Sequence, residues 1–264
     1  MEAESMTESG VQDQLSRSAK IVRCPNCDAD LTGKYCSGCG QEATATVLPL
    51  KAFLKQGVED VLSFDFRYLK TLKILLKPGV LTKRYLDGQR IPYAPPLRFA
   101  FNASLLLLIL IALRMPDGEG ITPDSAPGDD IGFIAREYAF VIALAQFFAL
   151  PVWAYLLKLG FKKQKPLYLS HLIFALYYHA VVTVTLLLII AVSFISPLPV
   201  YASMGLIMMT LILGPYLIFA LRRVYEATWL RSLLLWGVFV FAYLMLIFMF
   251  VSFFAGLSVG ITQN

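Results

Sequence analysis

Apolar residues gather in five long runs separated by short polar stretches. The runs cover residues 97–113, 138–158, 169–195, 203–221 and 232–257. A helix that crosses a bilayer core needs ~20 mostly apolar residues. The pattern therefore predicts an all-α, polytopic membrane domain over residues 97–257, with about five transmembrane helices. The first run is the shortest and carries Asn102. It follows Pro95-Pro96, a good helix start, and closes on Arg114, which can snorkel. Gly214-Pro215 predicts a kink in the fourth run, and Pro151 another in the second.

Residues 49–96 have a different pattern. Leu50, Phe53, Leu54, Val58, Val61 and Leu62 recur at helical spacing with lysines and acids between them. A second stripe, Tyr68-Leu69, Leu72 and Leu75-Leu76, is punctuated by Lys70, Lys73 and Lys77 and stopped by Pro78-Gly79. Both predict cytoplasmic amphipathic helices, either on the inner leaflet with lysines toward anionic headgroups or docked on the cytoplasmic face of the bundle. Residues 1–20 are polar without an apolar core segment. They read as a disordered tail rather than a cleavable signal.

Composition supports the membrane reading. The 264-residue chain is 58% hydrophobic and 16% charged, where soluble domains run at about 45–50% and roughly 25%. Mean hydropathy is +0.66. The net charge of +5 matters less than its distribution. Basic residues crowd 51–98, acids crowd 117–137, and Lys158, Lys162, Lys163 and Lys165 follow the second run. The 196–199 turn is uncharged, Arg222, Arg223 and Arg231 follow the fourth run, and the end of the chain has no charged side chain. Basic and non-basic connections alternate. This predicts a cytoplasmic N-terminus and a C-terminus on the far side of the membrane. The basic residues are thereby explained as topology, and no nucleic-acid partner is expected.

All four cysteines lie in one short stretch, Cys24-Pro25-Asn26-Cys27 and Cys36-Ser37-Gly38-Cys39. Two CxxC turns supply four thiolates, a complete tetrahedral set for zinc. The set Cys24, Cys27, Cys36 and Cys39 predicts a small zinc knuckle over residues 21–44, with the Zn2+ structural because no ligand position remains for substrate water. Gly38 and Gly40 fall where left-handed backbone is expected, Lys34 and Arg23 would offset the site's net negative charge, and Leu31 and Tyr35 are the only apolar core residues. Paired disulfides, a CxxC redox pair and an iron–sulfur cluster are the competing readings. The redox pair lacks a supporting βαβ pattern.

Further candidate groups lie in or beside the apolar runs. The two histidines, His171 and His179, share the third run about 80° apart on a helix. With Tyr178 they form a candidate intramembrane polar site. The plainer reading puts His171 at the cytoplasmic interface and gives His179 a hydrogen bond to a neighbouring helix. Lys83, Arg84, Arg90, Arg222 and Arg223 form a basic collar. It is either a topology signal alone or a phosphate and lipid-headgroup contact.

YCSGCGQ at 35–41, LKTLKILLKPGVLTKRYLDGQRIPYAPPLRF at 69–99, SHLIFALYYHA at 170–180 and ALRRVYEATW at 220–229 together resemble a bacterial membrane family known as domain of unknown function 3667. The resemblance implies a bacterial inner-membrane protein with a zinc knuckle ahead of a helical bundle, and implies no activity. Members often carry a further histidine near the position of Tyr177, and its absence here argues against a three-histidine metal site.

Three function classes compete. The first is a membrane scaffold or regulator, in contact with the bilayer and anionic headgroups, whose knuckle docks a cytoplasmic protein. The second is a small transporter or channel-like bundle, which His171, His179 and Asn102 would serve. The third is a lipid-modifying intramembrane enzyme, for which neither GxSxG nor HExxH is present and no catalytic residue is assigned.

Overall fold

The computed structural model describes residues 22–43, 50, 53–54, 66–114, 147, 149–165, 167–195, 212–242, 245 and 249. The tail at 1–20, the acidic loop at 117–130, the parts of the expected spans at 138–146 and 203–211, and nearly all of 243–257 lie outside these residues. So does most of the first amphipathic stripe.

The N-terminal module is two short strands and two tight turns. Strand β1 (Val22–Arg23) pairs antiparallel with β2 (Asp30–Leu31), in the register Val22 to Leu31 and Arg23 to Asp30. A second ladder contact joins Tyr35 and Glu42.

The other described elements are helical. Helix α1 is Arg67–Leu75 and α2 is Val80–Leu86. Helix α3 is Pro96–Arg114, α4 Ala149–Phe161, α5 Tyr168–Ser193, α6 Gly214–Tyr225 and α7 Trp229–Ala242. Helix α1 ends where the sequence stops it, at Pro78-Gly79. Gly79 is left-handed (φ +69), and a Cβ there would lie 3.0 Å from the Ala220 backbone. The absent side chain lets the α1–α2 turn sit directly on α6. Helix α2 follows at once, a seven-residue element that hydrophobic spacing did not single out.

Two described helices are long and apolar enough to cross a membrane, Pro96–Leu113 and Tyr168–Val192. At 1.5 Å per residue, the 19-residue α3 is about 28 Å long, close to the ~30 Å of a hydrocarbon core. They pack along one another and form the most extensive helix pair among the described residues. The core is densest at the N-terminal end of α5, where Leu169, Ile173, Phe174, Leu176 and Tyr177 are buried against residues of α2, α3, α4 and α6.

Hydrogen bonds pin the short helices onto this core. Thr71 donates to the Arg67 carbonyl at 2.7 Å, and its oxygen accepts the Ala94 N–H at 2.8 Å. The Tyr177 hydroxyl donates to the Ala94 carbonyl at 3.1 Å, and the Tyr216 hydroxyl to the Leu75 carbonyl at 2.7 Å. The segment before α3 is thus docked on the bundle through α5 and α6, one of the two arrangements its amphipathic pattern allowed. Leu69 and Leu72 on α1, and Leu76 just after it, remain exposed.

Candidate metal centre and cationic cleft

The two CxxC turns have one backbone design. In the first, Asp28 N–H donates to the Cys24 carbonyl and Cys24 N–H to the Ala29 carbonyl, both at 2.8 Å. In the second, Gly40 N–H donates to the Cys36 carbonyl and Cys36 N–H to the Gln41 carbonyl, again at 2.8 Å. The residue four after the leading cysteine is left-handed in both, Asp28 at φ 64 and Gly40 at φ 72. Gly38 answers to space instead, because a Cβ there would lie 3.3 Å from Ala29 Cβ and 3.4 Å from Cys27 Sγ.

This geometry brings all four sulfurs within 4.8 Å of one another. Cys24 Sγ is 3.6 Å from Cys39 Sγ, and Cys27 Sγ is 3.4 Å from Cys36 Sγ. A disulfide needs about 2.0 Å, so these are free thiols. A tetrahedron with metal–sulfur bonds of ~2.3 Å has edges of about 3.8 Å, and the observed spacing is close to that. Burial opposes ionisation of Cys39, but hydrogen bonds from the Gln41 backbone and the Asn26 side chain, with the Cys27 and Cys24 thiols beside it, bring its pKa down to about 7. The neighbouring Cys27, despite a hydrogen bond with the Ala29 backbone, is pushed up to about 12 by the Cys36 thiol and burial, so it is the sulfur spacing that makes the site. The four residues can therefore hold a metal ion.

The rest of the module departs from its sequence reading. Tyr35 is 58% exposed, with Lys34 Nζ 5.5 Å from its ring centre. It packs no core, because the Tyr35–Glu42 ladder faces its side chain outward. Arg23 pairs with Asp28 at 2.9 Å, and Lys34 lies 4.0 Å from Glu42.

Gln41, the last residue of YCSGCGQ, ties the module to the bundle. Its side chain is buried and donates to the Gly88 carbonyl at 2.8 Å, while its own carbonyl accepts the Arg90 N–H at 3.4 Å. Gly88 is at φ 97, and a Cβ there would come within 2.7 Å of Pro25.

The basic collar divides in two. Lys83, Arg222 and Arg223 line one open cleft of about 560 Å³ with Pro78 and Phe219. Arg223 donates to the Pro78 carbonyl at 2.6 Å, and the Arg222 guanidinium lies 3.7 Å from the Trp229 ring centre. Arg84 and Arg90 are not in that lining. Arg84 donates to the Tyr93 hydroxyl at 2.8 Å, and Arg90 sits 5.7 Å from the Tyr85 ring. Burial, opposed by Arg90 and Arg98, pushes the Tyr85 phenol up to about 12.

The histidines serve separate networks. His171 is fully buried, with Nε2 2.8 Å from the Lys165 carbonyl and Nδ1 2.9 Å from the Tyr225 hydroxyl. A carbonyl only accepts, so Nε2 carries the proton and Nδ1 accepts from Tyr225. Tyr225 in turn stacks on Phe161 at 4.2 Å. His179 Nε2 is 2.9 Å from Ser104 Oγ on α3, and Ser104 donates to the Ala100 carbonyl at 2.9 Å. The Tyr178 hydroxyl points elsewhere, 3.5 Å from the Leu213 carbonyl. Sequence reasoning missed Gln41, Ser104 and Phe219. Only Gln41 left a local signal, a polar residue directly after the closing knuckle.

A four-cysteine knuckle docked on an apolar helical bundle defines the class of this molecule. Residues 65–108 match the model of the family described as protein of unknown function (DUF3667), which bears out the resemblance drawn from the sequence motifs. The matched stretch holds α1, the Pro78-Gly79 turn, α2, the Gly88 loop and α3 as far as Leu108, and so includes Lys83 and Ser104. No curated protein and no solved structure matches the chain.

Proposed function

We propose that this chain is a five-span protein of a bacterial inner membrane that acts as a scaffold or regulator, presenting a structural zinc knuckle to a cytoplasmic protein. The observation that carries this reading is the four-sulfur cluster fixed to the bundle through Gln41. Four protein thiolates fill a tetrahedral ion and leave no position for catalysis. Zinc fits because its folding contribution, on the order of 10 kcal/mol or more, would stabilise a module with little apolar core. The docked module leaves Tyr35 and Lys34 exposed, an aromatic and a cation suited to protein contact.

The bundle supports this reading over transport. His171 has both ring nitrogens on protein oxygens, and His179 is bonded to Ser104 on the adjoining helix.

A photo-crosslinking residue at Tyr35 in cells tests the proposal. It should capture one discrete cytoplasmic protein, and Cys27→Ser in the same chain should abolish capture. Topology reporters after Asn264 and within 117–130 should read the periplasm, and one near Lys162 the cytoplasm. Absence of a specific product at Tyr35 would sink the scaffold role, and a cytoplasmic C-terminus would refute the five-span count.

A further inference from the structure

We propose that the cleft between the α1–α2 turn and the end of α6 is a binding site for the phosphate of an anionic phospholipid. The idea rests on the membrane reading above and gives that reading a specific lipid contact. The cleft gathers Lys83 from α2 and Arg222 and Arg223 from the last turn of α6, with no acidic residue among the described residues of its lining. Its volume of about 560 Å³ falls within the ~300–1,000 Å³ of small-molecule sites.

The two guanidiniums are held before any ligand arrives. Arg223 is tied to the Pro78 carbonyl at 2.6 Å, which leaves its other N–H groups at the cleft. Arg222 lies on the Trp229 ring at 3.7 Å. Its Nε is buried without a hydrogen-bond partner among the described residues. A phosphate in the cleft would accept charge-assisted bonds from the guanidinium N–H groups that reach it.

The surroundings favour a lipid over a free phosphate. Phe219 lines the same cleft and is 49% exposed. Its ring meets Trp229 edge-on at 5.7 Å, and the helix that starts at Trp229 exposes Leu230, Leu233 and Leu234. A cationic pocket that opens onto an aromatic and leucine surface matches a molecule with a phosphate head and acyl tails. Under the five-span topology, the end of α6 lies at the inner membrane–water boundary, at the depth of such headgroups.

Full-length protein in detergent, analysed by native mass spectrometry with phosphatidylglycerol, phosphatidylcholine or inorganic phosphate added, tests the site. The wild type should retain one phosphatidylglycerol in preference to phosphatidylcholine, and inorganic phosphate should fail to displace it. Arg222→Lys with Arg223→Lys keeps the charge but loses the forks, and retention should fall roughly tenfold. Lys83→Gln on α2 should weaken retention as well, and it leaves α6 and the Arg222–Trp229 contact untouched. Equal retention of the two lipids by the wild type, or unchanged retention in both variants, would overturn the proposal. Displacement by inorganic phosphate would overturn the lipid assignment. The topology reporters judge the membrane reading separately, so an inserted five-span protein without lipid preference would defeat the cleft alone.

Discussion

The side chain of Gln41 makes both of its hydrogen bonds to the backbone of one loop, donating to the Gly88 carbonyl at 2.8 Å and accepting from Arg90 N–H at 3.4 Å. Gln41 follows the closing knuckle, and Gly88 follows α2. The contact fastens a cysteine module to a helical bundle through one amide that acts as donor and acceptor together. Gln41→Ala should strand the buried Gly88 carbonyl, at ~1–3 kcal/mol. The expected outcome is faster hydrogen exchange across residues 87–93 with unchanged metal content. Unchanged exchange would show that the module is held by other contacts.

Gly88 is the steric half of the same joint. Its φ of 97 suits glycine, and an added Cβ would lie 2.7 and 2.8 Å from two Pro25 atoms. Gly88→Ala therefore meets both backbone strain, about 1–2 kcal/mol, and the rigid proline ring. Separation of the module is the cheaper relaxation. Limited proteolysis should cut between the module and α1 faster in Gly88→Ala than in the wild type. Gly33→Ala, where a Cβ would meet nothing within 4 Å, should behave as the wild type does.

Much of this arrangement was legible because it is local. The stop at Pro78-Gly79, the start of α3 at Pro96 and the four-cysteine set follow from residue type and spacing over a few positions. The rest depends on tertiary contact. Helix α2 is too short to show a convincing period, and its place is set by Gly79 against Ala220. The cationic collar could be named from sequence, but dividing it could not. Arg84 is drawn to Tyr93, whereas Arg223 reaches Pro78 across 145 positions of sequence. Tyr35 was misread as core because an aromatic between cysteines looks apolar in sequence, and only the strand pairing shows which way it faces.

The His179–Ser104 pair joins the two helices long enough to span a membrane. Ser104 gives its proton to Ala100, so His179 is the donor in their contact. Ser104→Ala should leave the buried His179 N–H poorly satisfied, with Thr183 Oγ1 at 3.4 Å as the remaining partner, and should cost ~1–3 kcal/mol. Replacing both residues, Ser104→Ala with His179→Leu, should recover most of that loss, because neither polar group then remains. Thermal unfolding in detergent across the double-mutant cycle measures this. A double variant as unstable as the sum of the singles would mean that the two side chains act independently.

The final prediction concerns metal removal and how far its effect reaches. The cysteine module has two buried cysteines and two two-residue strands, and its aromatic residue Tyr35 is exposed. Without a bound ion, little apolar burial holds it together, so chelation should unfold residues 22–43. Binding requires thiolates, so the metal should also be lost more readily as pH falls. Unfolding the module withdraws Gln41 from the Gly88 loop and Pro25 from its contact with Gly88. Exchange protection should then fall in 87–93 as well. It should persist at Ala94, whose N–H is bonded to Thr71, and along α3 and α5, which pack on one another. Hydrogen exchange with and without chelator, alongside metal analysis of the purified protein, reads all three regions at once. Loss of protection confined to 22–43 would mean that the loop is ordered independently of the knuckle. A metal-free protein with the module still protected would remove the metal centre itself.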